Sequence, residues 1–260
     1  LRIDVGEREI GAMNRNFHLA PFAGLVVGLI ASLVGFIFVQ AGAAAIGVIS
    51  VFATVFILSK FLHFDGLVDF GDGIIAGGDR EHSVKALKDT NIGAGGFGIA
   101  LIVTLVSIAA LSGFWFQVAA VMVMPAMEIF SKNAMVSAAA FGEPGTGMAS
   151  EQVRATNTQT MLMSTIFSAV FALVAYVIMA VIVSIATRNG YFDVEPLVNG
   201  VAIIAASAFV SVLTGWFMAN LSNKKFGFVN GDVLGATNEV ARVFILVVAL
   251  LITANYLMAF

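Results

Sequence analysis

Three aspartates, Asp65, Asp69 and Asp72, lie within eight consecutive positions of the stretch HFDGLVDFGDG, which runs from His63 to Gly73. On a helix, a rotation of about 100° per residue places their carboxylates on one stripe about 60° wide. Like charges on one stripe repel, and a hard divalent cation that takes oxygen ligands is the natural counter-charge. A solvated acidic helix end is the alternative, but the phenylalanines and glycines between the acids favour a site that a ligand approaches closely. The pattern therefore predicts a metal site, with His63 on the opposite side of the helix.

A second acidic pattern lies near the end of the chain, in the stretch NGDVLGATNE from Asn230 to Glu239. Asp232 and Glu239 are seven residues apart and share one face of a helix, with Gly235 and Ala236 beside them. A carboxylate pair at the mouth of a membrane helix is costly to keep unless it binds something. We therefore expect these two acids to form one polar cavity with the first three.

Two glycine-rich segments lie between the acidic patterns: DTNIGAGG, which ends at Gly96, and FGEPGTG, which ends at Gly147. Glycine-rich turns beside helix N-termini can hold phosphate oxygens through free backbone N–H groups and the helix dipole. A plain tight turn explains each segment equally well on its own. Together with the acids and with Lys88, Lys132 and Arg154, the segments supply metal ligands, phosphate donors and cations, which are the components of phosphoryl transfer.

The elements that position these residues are membrane helices. The chain has 260 residues, of which 60% are hydrophobic and 11% are charged, a composition typical of a polytopic membrane protein. A spanning helix needs about 20 apolar residues, so the uncharged runs at 16–59 and 90–127 each hold two helices. The sequence predicts an all-α membrane bundle with about seven transmembrane helices, near residues 20–39, 43–61, 94–111, 115–138, 161–186, 197–219 and 240–260.

The distribution of lysine and arginine predicts the orientation of the bundle, because both accumulate in short cytoplasmic loops. With the N-terminus inside, twelve of the thirteen basic residues fall on the inner side and Arg188 alone lies outside. The acids agree, since all except Asp193 and Glu195 fall on the same side or at helix ends facing it. We therefore expect a multi-pass protein of the cell membrane, N-in and C-out, with its site on the cytoplasmic face.

Several classes of protein are disfavoured. Without cysteine there is no disulfide, thiolate nucleophile or thiolate zinc site. Early acids such as Asp4 and Glu7 argue against a signal peptide, so the first span is expected to be a permanent anchor. Residues 1–260 are interpreted as one integral membrane domain with no nucleic-acid partner, and the sequence leaves the oligomeric state open. A divalent-cation transporter is an alternative, because intramembrane acids also line ion paths, but acids confined to one side favour an enzyme.

The acidic patterns carry a family resemblance. The pattern HxDGLxDxxDG begins at His63, KDxxIGxxG at Lys88 and GDxLGAxxE at Gly231, while FHLAPFxG begins at Phe17 and ExxSK at Glu128. Together they resemble the cobalamin 5′-phosphate synthases, also called adenosylcobinamide-GDP ribazoletransferases, over nearly the whole chain. The chain departs from the family where glycine and glutamate, not arginine, precede the GTG turn at 145–147.

The resemblance implies an integral membrane, Mg²⁺-dependent transferase that joins adenosylcobinamide-GDP to α-ribazole or α-ribazole 5′-phosphate and releases GMP. The implied step is in-line attack by the ribazole 5′-hydroxyl on the cobinamide-linked phosphorus, accelerated by positioning and charge neutralisation. His63 is interpreted either as a base or as a structural helix-end histidine. We expect metal ligands at Asp65, Asp69, Asp72 and Asp232, substrate contacts at Lys88, Gly93, Gly96, Glu128 and Asp232, and catalytic roles for Asp65, Asp69, Asp72, Asp89, His63, Lys132 and Glu239.

One further resemblance gives an alternative function. The sequence from Asp69 through Asp72 to Gly73 is similar to part of the metal motif of CDP-alcohol phosphotransferases, which are membrane enzymes of lipid synthesis. That motif continues with Ala-Arg, whereas Ala76 is followed here by Gly77. The similarity to this second family is therefore partial.

Overall fold

The computed structural model describes residues 11, 14–114, 119–147, 149–187 and 194–257. Over these residues the secondary structure is α-helical, apart from a 3-10 turn at Phe17–Leu19 and one backbone bridge between Pro144 and Val229. The all-α prediction is therefore confirmed. Several charged residues used to predict orientation lie outside the described residues, namely Arg2, Asp4, Glu7, Arg8, Glu9, Arg188 and Asp193.

Ten α-helices follow one another in the described residues. Long apolar runs predict most of their positions, because a run that avoids charge is one that can be buried in lipid. The last helix begins nine residues before its predicted start at 240, because the Asn230 side chain accepts a hydrogen bond from Val233 N at 3.1 Å and caps it there. The helices are α1 (Ala20–Gln40), α2 (Ala44–Leu58), α3 (Leu62–Ile75), α4 (Arg80–Leu87), α5 (Ala94–Gly113), α6 (Ala119–Phe141), α7 (Ala149–Ala155), α8 (Thr158–Thr187), α9 (Val194–Lys225) and α10 (Gly231–Leu257).

The bundle carries several helices that can cross a membrane. Within the described residues, five stretches are long and apolar enough to do so, at Phe17–Gln40, Ala94–Gly113, Thr158–Ala186, Gly200–Lys225 and Gly231–Thr253. The pair α2 and α3 adds a sixth if the two helices form one broken span. These lengths define a multi-pass helical membrane protein, while the count of seven spans stays a prediction.

A sharp break separates α2 from α3. The two helices are bent by 88°, and two of the three residues between them, Lys60 and Phe61, adopt positive φ angles of 52° and 59°. The Phe61 ring stacks on Phe56 of α2 with centroids 5.7 Å apart, which favours this turn. The acidic stretch was predicted at the end of one helix over 43–61, but it forms a separate short helix. This break turns the aspartates away from the axis of α2.

The strain at the break can be tested at Lys60, which is exposed. A left-handed conformation costs a non-glycine residue about 1–2 kcal/mol, so Lys60→Gly is expected to raise the thermal unfolding midpoint of the detergent-solubilised protein slightly. Lys60→Val is expected to lower it, because a β-branched residue tolerates positive φ poorly. Equal midpoints for the two variants would show that the left-handed turn is not needed.

Helix α6 lies at the centre of the bundle and packs against α1, α8, α9 and α10. Its approach to α1 is close, since a Cβ added at Gly28 would lie 2.7 Å from the Cα of Pro125. Nearly every described side chain of α6 between Val123 and Ala139 is buried. Small residues at such a contact let membrane helices pack closely, so α6 is surrounded mainly by protein.

Polar segments that join the helices gather at one end of the bundle. Asn14 donates a hydrogen bond to Glu151 Oε2 at 2.9 Å, which ties the segment before α1 to α7. Lys225, at the end of α9, donates to the carbonyl of Ala76 after α3 at 3.0 Å. Helix α3 and the start of α10 therefore belong to the same polar end.

Candidate functional site

The acidic site lies where α3 crosses α10, and glycines let the two backbones touch. A Cβ added at Gly66 would lie 2.9 Å from the carbonyl oxygen of Asp232, and one at Gly235 would lie 3.2 Å from the Cα of His63. These distances leave no room for a side chain at the first position and little at the second. The crossing brings the start of α10 against the acidic stretch of α3.

Four aspartates meet at this crossing and form what we call the aspartate cluster: Asp65, Asp69, Asp72 and Asp232. Asp69 is half-buried and lies within electrostatic reach of the other three. Asp232 is also within reach of Lys88. In the described part of the chain, no lysine or arginine forms an ion pair with any of the four. The predicted metal ligands therefore lie in one region, where their negative charge is not balanced by an ion pair.

The aspartate cluster is not a closed metal cage. Among the described residues, no three histidine, aspartate or glutamate side chains stand close enough to hold a metal ion by themselves. The carboxylates share one region without converging on one point. Any cation bound there needs ligands that the protein side chains alone do not supply.

Asp72 makes hydrogen bonds that its neighbours do not. Its Oδ2 accepts from Gly93 N at 2.8 Å and its Oδ1 accepts from Gly96 N at 2.7 Å. Gly93 precedes α5 and Gly96 lies in its first turn, so Asp72 satisfies two of the N–H groups that a helix start leaves free. The backbone donors predicted to contact substrate phosphate are therefore bonded to a carboxylate of the chain itself.

The exposed turn between α4 and α5 contains two further predicted residues, Lys88 and Asp89. Asp89 Oδ1 accepts from the Asn91 backbone N at 3.0 Å and from its side-chain nitrogen at 2.8 Å. These bonds hold the pKa of the Asp89 carboxyl below its ordinary value. Lys88 lies 5.6 Å from the centroid of the Phe228 ring. Asp89 therefore stabilises this turn through its hydrogen bonds, and Lys88 lies near Asp232.

A buried ion network lies deeper in the bundle, between α6 and α10. Arg242 donates from Nε to Glu128 Oε1 at 2.7 Å and from Nη1 to Glu239 Oε2. Lys132 donates to Asn238 Oδ1 at 2.7 Å and lies 3.7 Å from Glu128 Oε2. The four ionic residues are buried, and their two positive charges balance their two negative charges.

The buried ion network corrects two predictions. Glu239 pairs with Arg242, so the expected single cavity of Asp232 and Glu239 is divided, with only Asp232 in the aspartate cluster. Lys132 and Arg242 were counted among basic residues on the inner side, but both are buried in helices. Since the charge rule concerns loops, these two residues carry no information on orientation.

His63 lies on the side of α3 that faces the buried ion network, opposite Asp65, as helix geometry predicts. Lys132 and Arg242 are within electrostatic reach of its ring. The Nδ1 atom is buried and has no hydrogen-bond partner among the described residues. His63 therefore stands between the aspartate cluster and the buried ion network.

The second glycine-rich segment, residues 141–147, is a tight turn fixed to the segment before α10. Glu143 accepts from Val229 N at 2.7 Å through its carbonyl, and its own N–H donates to Asn223 Oδ1 at 3.0 Å. A Cβ added at Gly145 would lie 2.8 Å from the Phe228 ring. These contacts hold the start of α10 in place and give the turn a structural role.

Arg242 is the residue near the site that sequence analysis missed as a functional candidate. Its signal is the spacing of Glu239 and Arg242, three residues apart on one face of an apolar helix. A second charged pair, Glu128 and Lys132, stands four residues apart in another helix. Charged residues inside membrane helices face partners in the bundle, so two such pairs indicate that the two helices meet.

The contact between α3 and α10 can be tested at Gly66. The added Cβ of Gly66→Ala would press on the backbone of Asp232, and such overpacking costs about 1–3 kcal/mol. We expect a lower unfolding midpoint and a large loss of activity. Gly98→Ala in α5 is the matched control, because no atom lies within 4 Å of its added Cβ. Equal behaviour of the two variants would contradict the close crossing.

Comparison with known proteins places this helical membrane bundle in a family. The chain belongs to the cobalamin-5-phosphate synthase family, whose model matches residues 2–250. It is similar to the adenosylcobinamide-GDP ribazoletransferase of Methanococcoides burtonii, at 29% identity over 89% of this chain and 80% of the relative. The proteins of the same name from Methanocella arvoryzae and Methanosarcina barkeri are 30% and 26% identical, covering 88% and 95% of this chain and 83% and 86% of the relatives. No solved structure matches the chain significantly.

Proposed function

We propose that the chain is a membrane-bound adenosylcobinamide-GDP ribazoletransferase. It joins adenosylcobinamide-GDP to α-ribazole or α-ribazole 5′-phosphate and releases GMP. The proposal rests on the family match over residues 2–250, a range that includes all four residues of the aspartate cluster. Relatives that bear this enzyme name cover 89% and 88% of the chain.

The reaction moves one phosphoryl linkage. A ribose hydroxyl of the acceptor attacks the phosphorus bonded to cobinamide, a new P–O bond forms, and the bond from that phosphorus to the bridging oxygen of the diphosphate breaks. GMP leaves with the bridging oxygen, and the hydroxyl proton passes to solvent water. An acceptor that carries a 5′-phosphate has no free 5′-hydroxyl, so in that case another ribose hydroxyl must attack, and the sequence-based assignment of the 5′ oxygen is too narrow.

The aspartate cluster fits Mg²⁺ by charge and by donor type. Its members are hard oxygen donors without a paired cation among the described side chains. Mg²⁺ commonly takes only one or two carboxylates and completes its shell with waters and substrate phosphates, which suits carboxylates that form no cage. One or two of Asp65, Asp69 and Asp232 would bind the ion together with waters and substrate phosphates, and its charge would offset the charge on the diphosphate oxygens.

Of the other residues near the site, some would contact the substrate and others would hold the helices together. Lys88 is exposed and near Asp232, which supports a contact with the diphosphate of the donor substrate. Lys132 and Glu128 hold α6 against α10 in the buried ion network. His63 faces the buried ion network and its Nδ1 is buried, which favours the structural interpretation of this histidine over the role of a base.

We also propose the orientation of the protein in the cell membrane. Seven spans with the N-terminus inside and the C-terminus outside place the aspartate cluster on the cytoplasmic face. Basic residues of the polar end, including Arg80, Lys85, Arg154 and Lys224, are exposed there, and lysine and arginine favour cytoplasmic loops. The water-soluble substrates would then reach the site from the cytoplasm.

The test is an assay of the full chain purified in detergent with adenosylcobinamide-GDP, α-ribazole and Mg²⁺. We expect GMP release that requires α-ribazole and stops when EDTA is added. Leaving out α-ribazole is the matched control, because plain hydrolysis of the diphosphate would also release GMP. Absence of GMP release with either α-ribazole or its 5′-phosphate would refute the proposal, and release of CMP from a CDP-alcohol would favour the lipid enzyme.

A further inference from the structure

We propose that Asp72 is a positioning residue, which ties α3 to the start of α5 and sets where Asp69 stands, and that it is not a metal ligand. The activity measurements below rest on the proposed function, whereas the exchange and metal-binding measurements do not. Asp72 shares its helix face with Asp65 and Asp69, so spacing alone gives all three the same role. The hydrogen bonds of Asp72 distinguish it from the other two.

Both carboxylate oxygens of Asp72 are held by backbone donors, at 2.8 Å from Gly93 N and 2.7 Å from Gly96 N. The two glycines form a notch for the carboxylate, since a Cβ added at Gly93 or Gly96 would lie 2.6 or 2.7 Å from Asp72 Cγ. Paired N–H groups at a helix start favour a negative charge. The Asp72 carboxylate is therefore the anion that this helix start binds.

The hydrogen bonds of Asp72 fix the position of helix α3 relative to α5. Helix α3 has 14 residues and is bent 88° from α2, so continuity with α2 does not fix its rotation about its own axis. Its contact with α5 is close, since a Cβ added at Gly71 would lie 2.8 Å from the Cα of Gly96. Asp69 lies one turn before Asp72 on the same face. Losing the bonds of Asp72 would free α3 to rotate and would move Asp69 relative to Asp232.

The first experiment measures the hydrogen bonds between Asp72 and the start of α5. Hydrogen exchange of the amides in residues 93–96 is followed in detergent for the wild type, Asp72→Ala, Asp72→Asn and Asp69→Asn. Loss of a helix-capping side chain weakens the cap enough for about two- to thirtyfold faster exchange in Asp72→Ala. Asp72→Asn is expected to lie between the wild type and Asp72→Ala, because asparagine keeps one acceptor oxygen while its NH₂ group cannot accept from the second backbone N–H. Asp69→Asn is expected to leave these amides unchanged.

The second experiment separates metal binding from positioning. Mn²⁺ binding to the full chain with GDP present is measured by electron paramagnetic resonance. Asp69→Asn is expected to weaken binding by about tenfold or more, since affinity follows the number of charged ligands, and Asp72→Asn to change it by less than about twofold. In the transferase assay, Asp72→Ala is expected to lower kcat without raising the Mg²⁺ requirement, and Asp72→Asn is expected to recover part of the loss.

Gly93→Ala completes the set, because it keeps every carboxylate while its added Cβ displaces that of Asp72. It is expected to resemble Asp72→Ala in exchange and in kcat, with Mn²⁺ binding retained. Equal loss of Mn²⁺ affinity in Asp72→Asn and Asp69→Asn would overturn the proposal, as would a wild type that binds no Mn²⁺ or unchanged exchange in Asp72→Ala. If the exchange and Mn²⁺ patterns hold but the wild type releases no GMP, the proposed function fails and the role of Asp72 stands.

Discussion

Asp69→Asn is expected to lower kcat of the ribazoletransferase reaction by about a hundredfold or more, the usual scale for losing one preorganised electrostatic group. Asp69 is half-buried and is the member of the aspartate cluster within electrostatic reach of all three others. Asparagine nearly keeps its shape and removes its charge, so the fold is expected to survive. The measurement is GMP release at saturating Mg²⁺, together with the thermal unfolding midpoint of the purified variant.

Asp79→Asn is the matched control for that loss. Asp79 is an exposed aspartate outside the aspartate cluster, and its side chain caps α4 by accepting from His82 N at 3.1 Å. Asparagine caps a helix equally well, so this variant is expected to keep nearly full activity. If Asp69→Asn and Asp79→Asn turned over at similar rates, Asp69 could not be a metal ligand.

Arg242→Met is expected to destabilise the protein by about 3–5 kcal/mol, because removing one partner of a buried ion pair leaves an uncompensated buried charge. Arg242 is 1% exposed and bonds two carboxylates, those of Glu128 and Glu239. Without its guanidinium, two buried carboxylates would share only Lys132. The measurement is the unfolding midpoint in detergent, which is expected to fall steeply along with the yield of folded protein.

Two further variants identify the cause of that destabilisation. Arg154→Met removes an exposed arginine of α7 and is expected to change stability little, since exposed charges contribute little. Adding Glu239→Gln to Arg242→Met removes one of the stranded carboxylates and is expected to recover part of the loss. A double variant less stable than Arg242→Met alone would contradict the charge-balance explanation.

The helices were largely predictable because burial in lipid demands long apolar runs, and such runs are visible in the sequence. The break before α3 was not predictable, since LSKFLH contains neither glycine nor proline. The left-handed turn at Lys60 and Phe61 is favoured by a contact with the Phe56 ring, which depends on tertiary packing. The early start of α10 depends on the cap at Asn230, a local feature that the apolar pattern does not report.

The site was predictable in composition and only partly in arrangement. Helical periodicity correctly placed His63 opposite the stripe of acids. It could not show that Asp72 bonds to backbone groups 21 and 24 residues away, because those bonds depend on how α5 packs on α3. It also could not separate Asp232 from Glu239, which share a helix face but lie about two turns apart, so that the deeper one meets α6.

The position of the buried ion network has a consequence for how the protein is made. Glu128 and Lys132 enter the membrane on α6, and before α10 follows, each has the other as its ionic partner, one helical turn away. Arg242 and Asn238 follow more than a hundred residues later, on the last helix. Helix α6 therefore has an incomplete set of ionic partners until α10 is inserted beside it.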